Sequence, residues 1–229
     1  MDSKIVKQIV YNLGADICGI ASKNRFIEAP EGFNPIDTLP SCKSVIVFGK
    51  KFLKGTLNCE NTIPYTIVRN ILSDELDKMS VNFCNMMDDK NIIAVPIGTI
   101  GPTLFDKKTG RFRNIVSIKH AAVLAGLGYI GKNSLLITPE YGNMIWLSAV
   151  LIDIELEPDK MINEKCPENC NLCIENCPVN AIKRGNLEID QEACFEYAFH
   201  INEGENFYFK CNKCRTLCPK RLGSQNKMV

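Results

Sequence analysis

The stretches CPENCNLCIENCP at 166–178 and CNKCRTLCP at 211–219 constrain this chain more than anything else in it. Of its twelve cysteines, Cys166, Cys170, Cys173, Cys177, Cys194, Cys211, Cys214 and Cys218 all fall in the last 64 residues. Both stretches end in Cys-Pro, as in the pattern C-x2-C-x2-C-x3-C-P. There the first three cysteines hold one 4Fe–4S cube, and the fourth reaches across to a second cube. Two departures stand out: three residues separate Cys166 from Cys170, and Cys194 lies far upstream of Cys211. The count still closes. Cys166, Cys170, Cys173 and Cys218 would serve one cluster, and Cys177, Cys194, Cys211 and Cys214 the other, with centres on the order of 12 Å apart.

The rival readings use fewer of these residues. A zinc site drawn from Cys170, Cys173, Cys211 and Cys214 would strand four cysteines and leave the Cys-Pro endings unexplained. A disulfide framework needs an oxidising compartment. Residues 1–22 lack the basic start, apolar stretch and cleavage site of a signal peptide, and the longest apolar run, MIWLSAVLIDI at 144–154, is too short for a bilayer. The expectation is a cytoplasmic protein with reduced thiols and no membrane partner. The scattered Cys18, Cys42, Cys59 and Cys84 then read as small apolar side chains. Lys210, Lys213, Arg215, Lys220 and Arg221 crowd the second motif and read first as a solvated basic edge. They could also raise a cluster potential or dock an acidic electron donor. A net charge of +1 provides no global field for nucleic acid, which is expected to be an unlikely partner.

The change in cysteine density, together with the EPDK turn at 157–160, places a boundary that divides the chain into 1–158 and 159–229. In the first part, apolar residues at helical spacing over 3–13, 64–88 and 117–126 alternate with strand-like runs at 15–22, 43–50, 91–98, 133–138 and 144–155. KSVIVFGK at 43–50 is nearly continuous, as in a strand covered on both faces. This predicts an α/β layered domain with a mixed sheet.

The stretch AGLGYIGKNS at 125–134 spells G-x-G-x-x-G with Gly126, Gly128 and Gly131. A dinucleotide site needs a strand before such glycines and a helix after them. The order here is helix, loop, strand, which argues for a helix C-cap. Three glycines followed by Lys132 further suggest a backbone lying close to a flat ligand.

The stretch KHAAVLAGLGYIGKNSLLITPEYG at 119–142, joined to the two cysteine motifs and to Cys194-Phe-Glu-Tyr197, resembles the epoxyqueuosine reductases and their short relatives. The resemblance covers about residues 40–220. It implies a nitroreductase-like layered domain followed by a ferredoxin-like double 4Fe–4S domain. It also implies a cavity for cobalamin, with a flavin as the alternative, lined by Gly126, Gly128, Gly131, Lys132, Tyr65 and Arg69. The family's proton-donating aspartate has no counterpart, since residues 107–139 contain neither Asp nor Glu; His120 or Tyr129 would substitute. The chain also ends ten residues after Pro219, without the family's helical-repeat extension. On both grounds tRNA epoxyqueuosine reduction is expected to be unlikely. The leading expectation is an oxidoreductase carrying low-potential electrons to an acceptor in the cavity. The alternative is a non-catalytic electron-transfer module that docks on a separate enzyme, its donor or acceptor unknown.

Overall fold

The computed structural model describes every residue except 102, 107–110, 186–188, 202–206 and 227–229, so the last three of these segments, all in the second predicted domain, lie outside it. In chain order the elements are α1 (Ser3–Asn12), β1 (Ile17–Ser22), α2 (Pro35–Thr38), β2 (Ser44–Lys51), α3 (Ile63–Asp88), β3 (Ala94–Ile97), β4 (Leu104–Asp106) and β5 (Arg111–Arg113). There follow α4 (Ile118–Leu124), β6 (Tyr129–Ile130), β7 (Leu136–Ile137), β8 (Ile145–Ile152), α5 (Leu172–Glu175), α6 (Gln191–Ala198), β9 (Phe199–Ile201), β10 (Phe207–Phe209) and α7 (Lys213–Thr216).

The central sheet has the order β1-β2-β8-β3. Side chains alternate across it with the two-residue period of a strand. Val45 and Val47 join Ala121, Ala122 and Ala125 of α4 on one face. Ile46 and Phe48 join Val6 and Val10 of α1 and Leu76, Phe83 and Met87 of α3 on the other. The result is a helix–sheet–helix sandwich, as the unbroken apolar run of β2 requires. α4 is built from alanines because it lies close to the sheet: a Cβ on Gly19 of β1 would come 2.3 Å from the Ala125 carbonyl oxygen.

The expectation of a mixed sheet is corrected. Every neighbouring pair in the central sheet is antiparallel. The alternation of helix and strand does produce a crossover, β2–α3–β3, whose two strands run the same way. β8 inserts between them and pairs antiparallel with both, so the parallel strands never touch.

After β8 the chain returns to the sandwich before entering the cysteine-rich part. Asp159 clamps this segment: its carboxylate accepts from the Ile20 amide at 2.8 Å and pairs with Lys7, and its carbonyl accepts from Arg25 at 2.7 Å. No helix or strand forms between Ile152 and Leu172, and the elements beyond are short. α5 buries no residue, α6 only Ala198 and α7 only Arg215. No helix among the described residues is long and apolar enough to cross a membrane.

Candidate metal centre and adjoining cavity

The thiols of the two cysteine motifs act on one another in two sets. Burial pushes the Cys173 thiol from 9.0 up to about 11, and Cys166, Cys218 and Cys170 add to the rise. Cys218 is raised by burial and by Cys166 and Cys170, against a lowering from the Lys220 backbone and Arg221. Cys194 is raised by burial, then by Cys177 and Cys211. Burial takes Cys214 to about 11 despite the lowering effect of Arg215, with Cys194, Cys211 and Cys173 contributing. These mutual influences bring together Cys166, Cys170, Cys173 and Cys218 on one side, and Cys177, Cys194, Cys211 and Cys214 on the other. Cys173 of the first set also acts on Cys214 of the second.

The two motifs fold as a local repeat. α5 and α7 pack together, each preceded by an asparagine, Asn171 and Asn212, whose carbonyl accepts the amide of Ile174 and Arg215 respectively. After each Cys-Pro the chain turns back, Asn180 donating to the Cys177 carbonyl and Arg221 to that of Cys218. Backbone amides point at sulfur in both quartets: Lys132 to Cys166 Sγ at 3.4 Å and Ala181 to Cys177 Sγ at 3.2 Å. A thiolate-rich, amide-lined pair of sites fits iron–sulfur cubes. Among the described residues no three His, Cys, Asp or Glu side chains close in as ligands to a single metal ion.

The glycine loop lies against this cysteine array. Gly126, at φ +73°, ends α4: its amide donates to the Val123 carbonyl and that of Leu127 to the Ala122 carbonyl, the paired bonds of a Schellman cap. A Cβ at Gly126 would lie 2.4 Å from the Lys160 carbonyl oxygen, and one at Gly128 would lie 2.2 Å from that of Ile137. At Gly131 it would meet Asn133 Oδ1 and Ile137 Cδ1, each at 2.7 Å. The Lys132 ammonium donates to the carbonyls of Pro167 (3.2 Å), Glu168 (2.8 Å) and Cys170 (2.9 Å), and Asn133 Nδ2 to that of Cys214 (2.8 Å). What this loop closes on is the chain's own backbone and both cysteine motifs.

A cavity of about 480 Å³ lies between α3, α6 and the β9–β10 hairpin. Its walls are Arg69, Asn70, Ser73 and Asp74 of α3, Ile100, and four phenylalanines, Phe195, Phe199, Phe207 and Phe209. Phe195 and Phe199 stack at 4.9 Å, and the Arg69 guanidinium lies 4.2 Å over Phe209. The Phe209 amide docks this hairpin on α3 through Thr66 Oγ1 at 3.0 Å. Burial lowers the Arg69 pKa from its ordinary value, yet a guanidinium keeps its charge.

The structure separates the predicted site residues. Arg69 lines the aromatic cavity. Tyr65, one turn earlier, stacks on Phe52 at 5.1 Å within a cluster of Phe52, Leu72 and Met144. Gly126 borders a different hollow of about 220 Å³, beside Tyr11 and Cys18. Tyr129 packs with Ile137, Cys218 and Cys166, and its phenol is pushed up to about 12 by burial, then by Cys166, Glu164 and Cys218, so it holds its proton. His120 is exposed on α4, its Nδ1 2.7 Å from Ser117 Oγ. The basic edge also divides: Lys210, Lys213 and Lys220 are not buried, whereas Arg215 is 5% exposed. Arg215 is therefore not part of a solvated edge; its guanidinium is drawn inward by the Asn143 carbonyl and the rings of Phe52 and Trp146. Sequence reasoning missed the four phenylalanines, although they crowd between Cys194 and Cys211. It also missed Asp74, five residues beyond Arg69 on α3.

No family model matches the chain. The epoxyqueuosine reductase of Bacillus cereus is 33% identical over 111 residues, which span 43% of this chain and 28% of that protein. Over that stretch the chain is similar to the epoxyqueuosine reductases. Among solved structures, an epoxyqueuosine reductase with an epoxyqueuosine-modified tRNA-Tyr stem loop superposes with a TM-score of 0.62 at 18% identity, covering 95% of this chain and 64% of that one. A reductive dehalogenase, described with a mechanism for B12-dependent dehalogenation, superposes with a TM-score of 0.64 at 17% identity over 93% of this chain and 31% of that one. The chain thus spans less than two thirds of the length of these relatives. These likenesses correct two expectations, that tRNA epoxyqueuosine reduction and a nucleic-acid partner are unlikely. The named relative is that reductase, and a structural neighbour holds a tRNA stem loop. Those expectations rested on the missing acid at 107–139, on the position of the chain's end and on a net charge, none of which excludes a local binding surface.

Proposed function

We propose that this chain is an iron–sulfur oxidoreductase delivering electrons to an acceptor in the aromatic cavity, with an epoxyqueuosine-type nucleoside on tRNA as the substrate class its relatives suggest. Cys166, Cys170, Cys173 and Cys218 would hold one 4Fe–4S cluster, and Cys177, Cys194, Cys211 and Cys214 the second, in a segment from 159 onward that follows a substrate domain at 1–158. When bound, the clusters supply one-electron carriers in series. One observation carries the reading: the cavity wall and the second quartet share the same elements. Phe195 follows Cys194 on α6, and Phe209 of β10 stands two residues before Cys211.

The rest of the chemistry belongs to side chains. The phenylalanine faces and the Arg69 guanidinium fit a flat conjugated ring and exclude water from it. No step is assigned to a corrinoid or to a flavin. Asp74 is the carboxyl group that the cavity wall provides where the sequence offered none between 107 and 139. Lys132 and Asn133 brace the cysteine loops, and Tyr129 covers the first quartet as a protonated phenol.

Oxygen-free purification with iron and sulfide analysis tests the ligand set, with about eight of each expected per chain. Titration with cobalamin, with flavin and with an epoxyqueuosine-bearing tRNA stem loop, followed by visible spectra and nucleoside analysis, tests the cavity. A colourless, zinc-containing protein would overturn the whole reading. Full iron with no cofactor bound and no nucleoside product would leave the electron-transfer module.

A further inference from the structure

Two cations sit inward beside the second quartet. Arg215 directly follows Cys214 on α7; its guanidinium donates to the Asn143 carbonyl and lies 5.5 Å over Phe52 and 5.7 Å over Trp146. Lys119, from α4, is half-buried and donates to Ser134 through its carbonyl at 2.6 Å and its hydroxyl at 3.0 Å. Ser134 follows Asn133, whose Nδ2 donates to the Cys214 carbonyl at 2.8 Å, so Lys119 and Arg215 are tied to the same cysteine; burial lowers the Lys119 pKa, with Cys214 opposing the fall and Arg215 adding to it. Among the described residues neither cation makes an ion pair with a carboxylate. Asp190, the carboxylate that acts on this quartet, reaches Cys194 from the N-cap of α6, where it accepts from the Ala193 amide.

A buried guanidinium and an inward-drawn ammonium without a counter-ion are costly to a fold. Four thiolates around an iron–sulfur cube would supply the missing anion. Reduction adds one electron, so the same cations favour the reduced cube over the oxidised one. The first quartet differs: the Lys132 ammonium is engaged by three carbonyls, and the cation acting on Cys218 is the half-buried Arg221.

Resting on the two-cluster reading, we propose that Lys119 and Arg215 raise the reduction potential of the cluster at Cys177, Cys194, Cys211 and Cys214. The electron is thereby drawn to the side of the protein that carries the aromatic cavity.

The test is a dithionite titration of the oxygen-free full chain, followed by electron paramagnetic resonance, with Cys173→Ser and Cys194→Ser assigning each signal to its quartet. Lys119→Met and Arg215→Met should each shift the second cluster's midpoint downward, with iron content and the first cluster's midpoint unchanged. Lys119→Arg and Arg215→Lys should restore it. An unchanged midpoint, an upward shift or an equal shift in both clusters overturns the proposal. If Arg215→Met loses iron, Lys119→Met decides alone; loss of the second cluster from both marks the pair as structural and also overturns it. A parent protein without two cluster signals refutes the cluster reading instead.

Discussion

A methyl group on Gly128 would sit 2.2 Å from the Ile137 carbonyl oxygen, so this position is set by packing between β6 and β7. Gly128→Ala should cost about 3 kcal/mol, at the upper end for overpacking, and should release iron, because the same loop carries Lys132 and Asn133. Thermal melts and iron analysis check this. A glycine serving only a ligand would lose the ligand and keep the iron. Asp74 is the second residue to test: Asp74→Asn should leave cofactor binding intact while lowering turnover about 10²–10⁴-fold if this carboxyl donates the proton. Single-turnover product formation separates the two effects.

At the scale of elements, the long helix α3 shows what an apolar pattern can and cannot specify. Spacing marked 64–88 as helical without deciding between one long helix and two in succession, and the buried stripe is Leu72, Leu76, Met79, Phe83 and Met87, while Ile67, Ile71 and Val81 are exposed. Both sets recur at helical intervals, and only the position of the sheet selects between them. Phe83 is fully buried; Phe83→Ala should destabilise the protein by about 3–5 kcal/mol, measurable by urea unfolding. Ile67→Ala, on the outward face, should change stability by less than about 0.5 kcal/mol. The helix–loop–strand order around the glycines was equally legible, since Gly126 caps α4 as a Schellman turn. The direction of the sheet was not. Strand pairing between β2 and β8 joins residues about a hundred positions apart, as in Ser44 opposite Ile152, and no local pattern records it. The cavity was missed for the same reason, because Arg69 and Phe209 meet only through the docking of β10 on α3.

Across the whole molecule, stability is divided unevenly. The sandwich has continuous apolar clusters on both faces of its sheet, built from α1, α3 and α4. The part beyond residue 165 has almost none: Ala181, Ile182, Ala198 and Cys218 are its buried apolar side chains among the described residues. So little apolar burial cannot offset the backbone entropy of ordering that segment. Metal ligation would have to supply the difference, as it does in small metal-held domains. Removing iron with a chelator under reducing conditions should therefore melt α5, α6 and α7 while the four-stranded sheet stays protected. Hydrogen exchange followed by mass spectrometry would show rapid exchange in peptides spanning 166–220 and slow exchange in β2 and β8. The boundary should fall near Asp159, which hydrogen-bonds the backbone of β1 and is clamped by Lys7 and Arg25, so that protection persists up to it. Simultaneous loss of protection in β2 and β8 would instead mean that the clusters hold the entire fold. The Lys132 and Asn133 bonds would then be the route by which iron stabilises the sandwich.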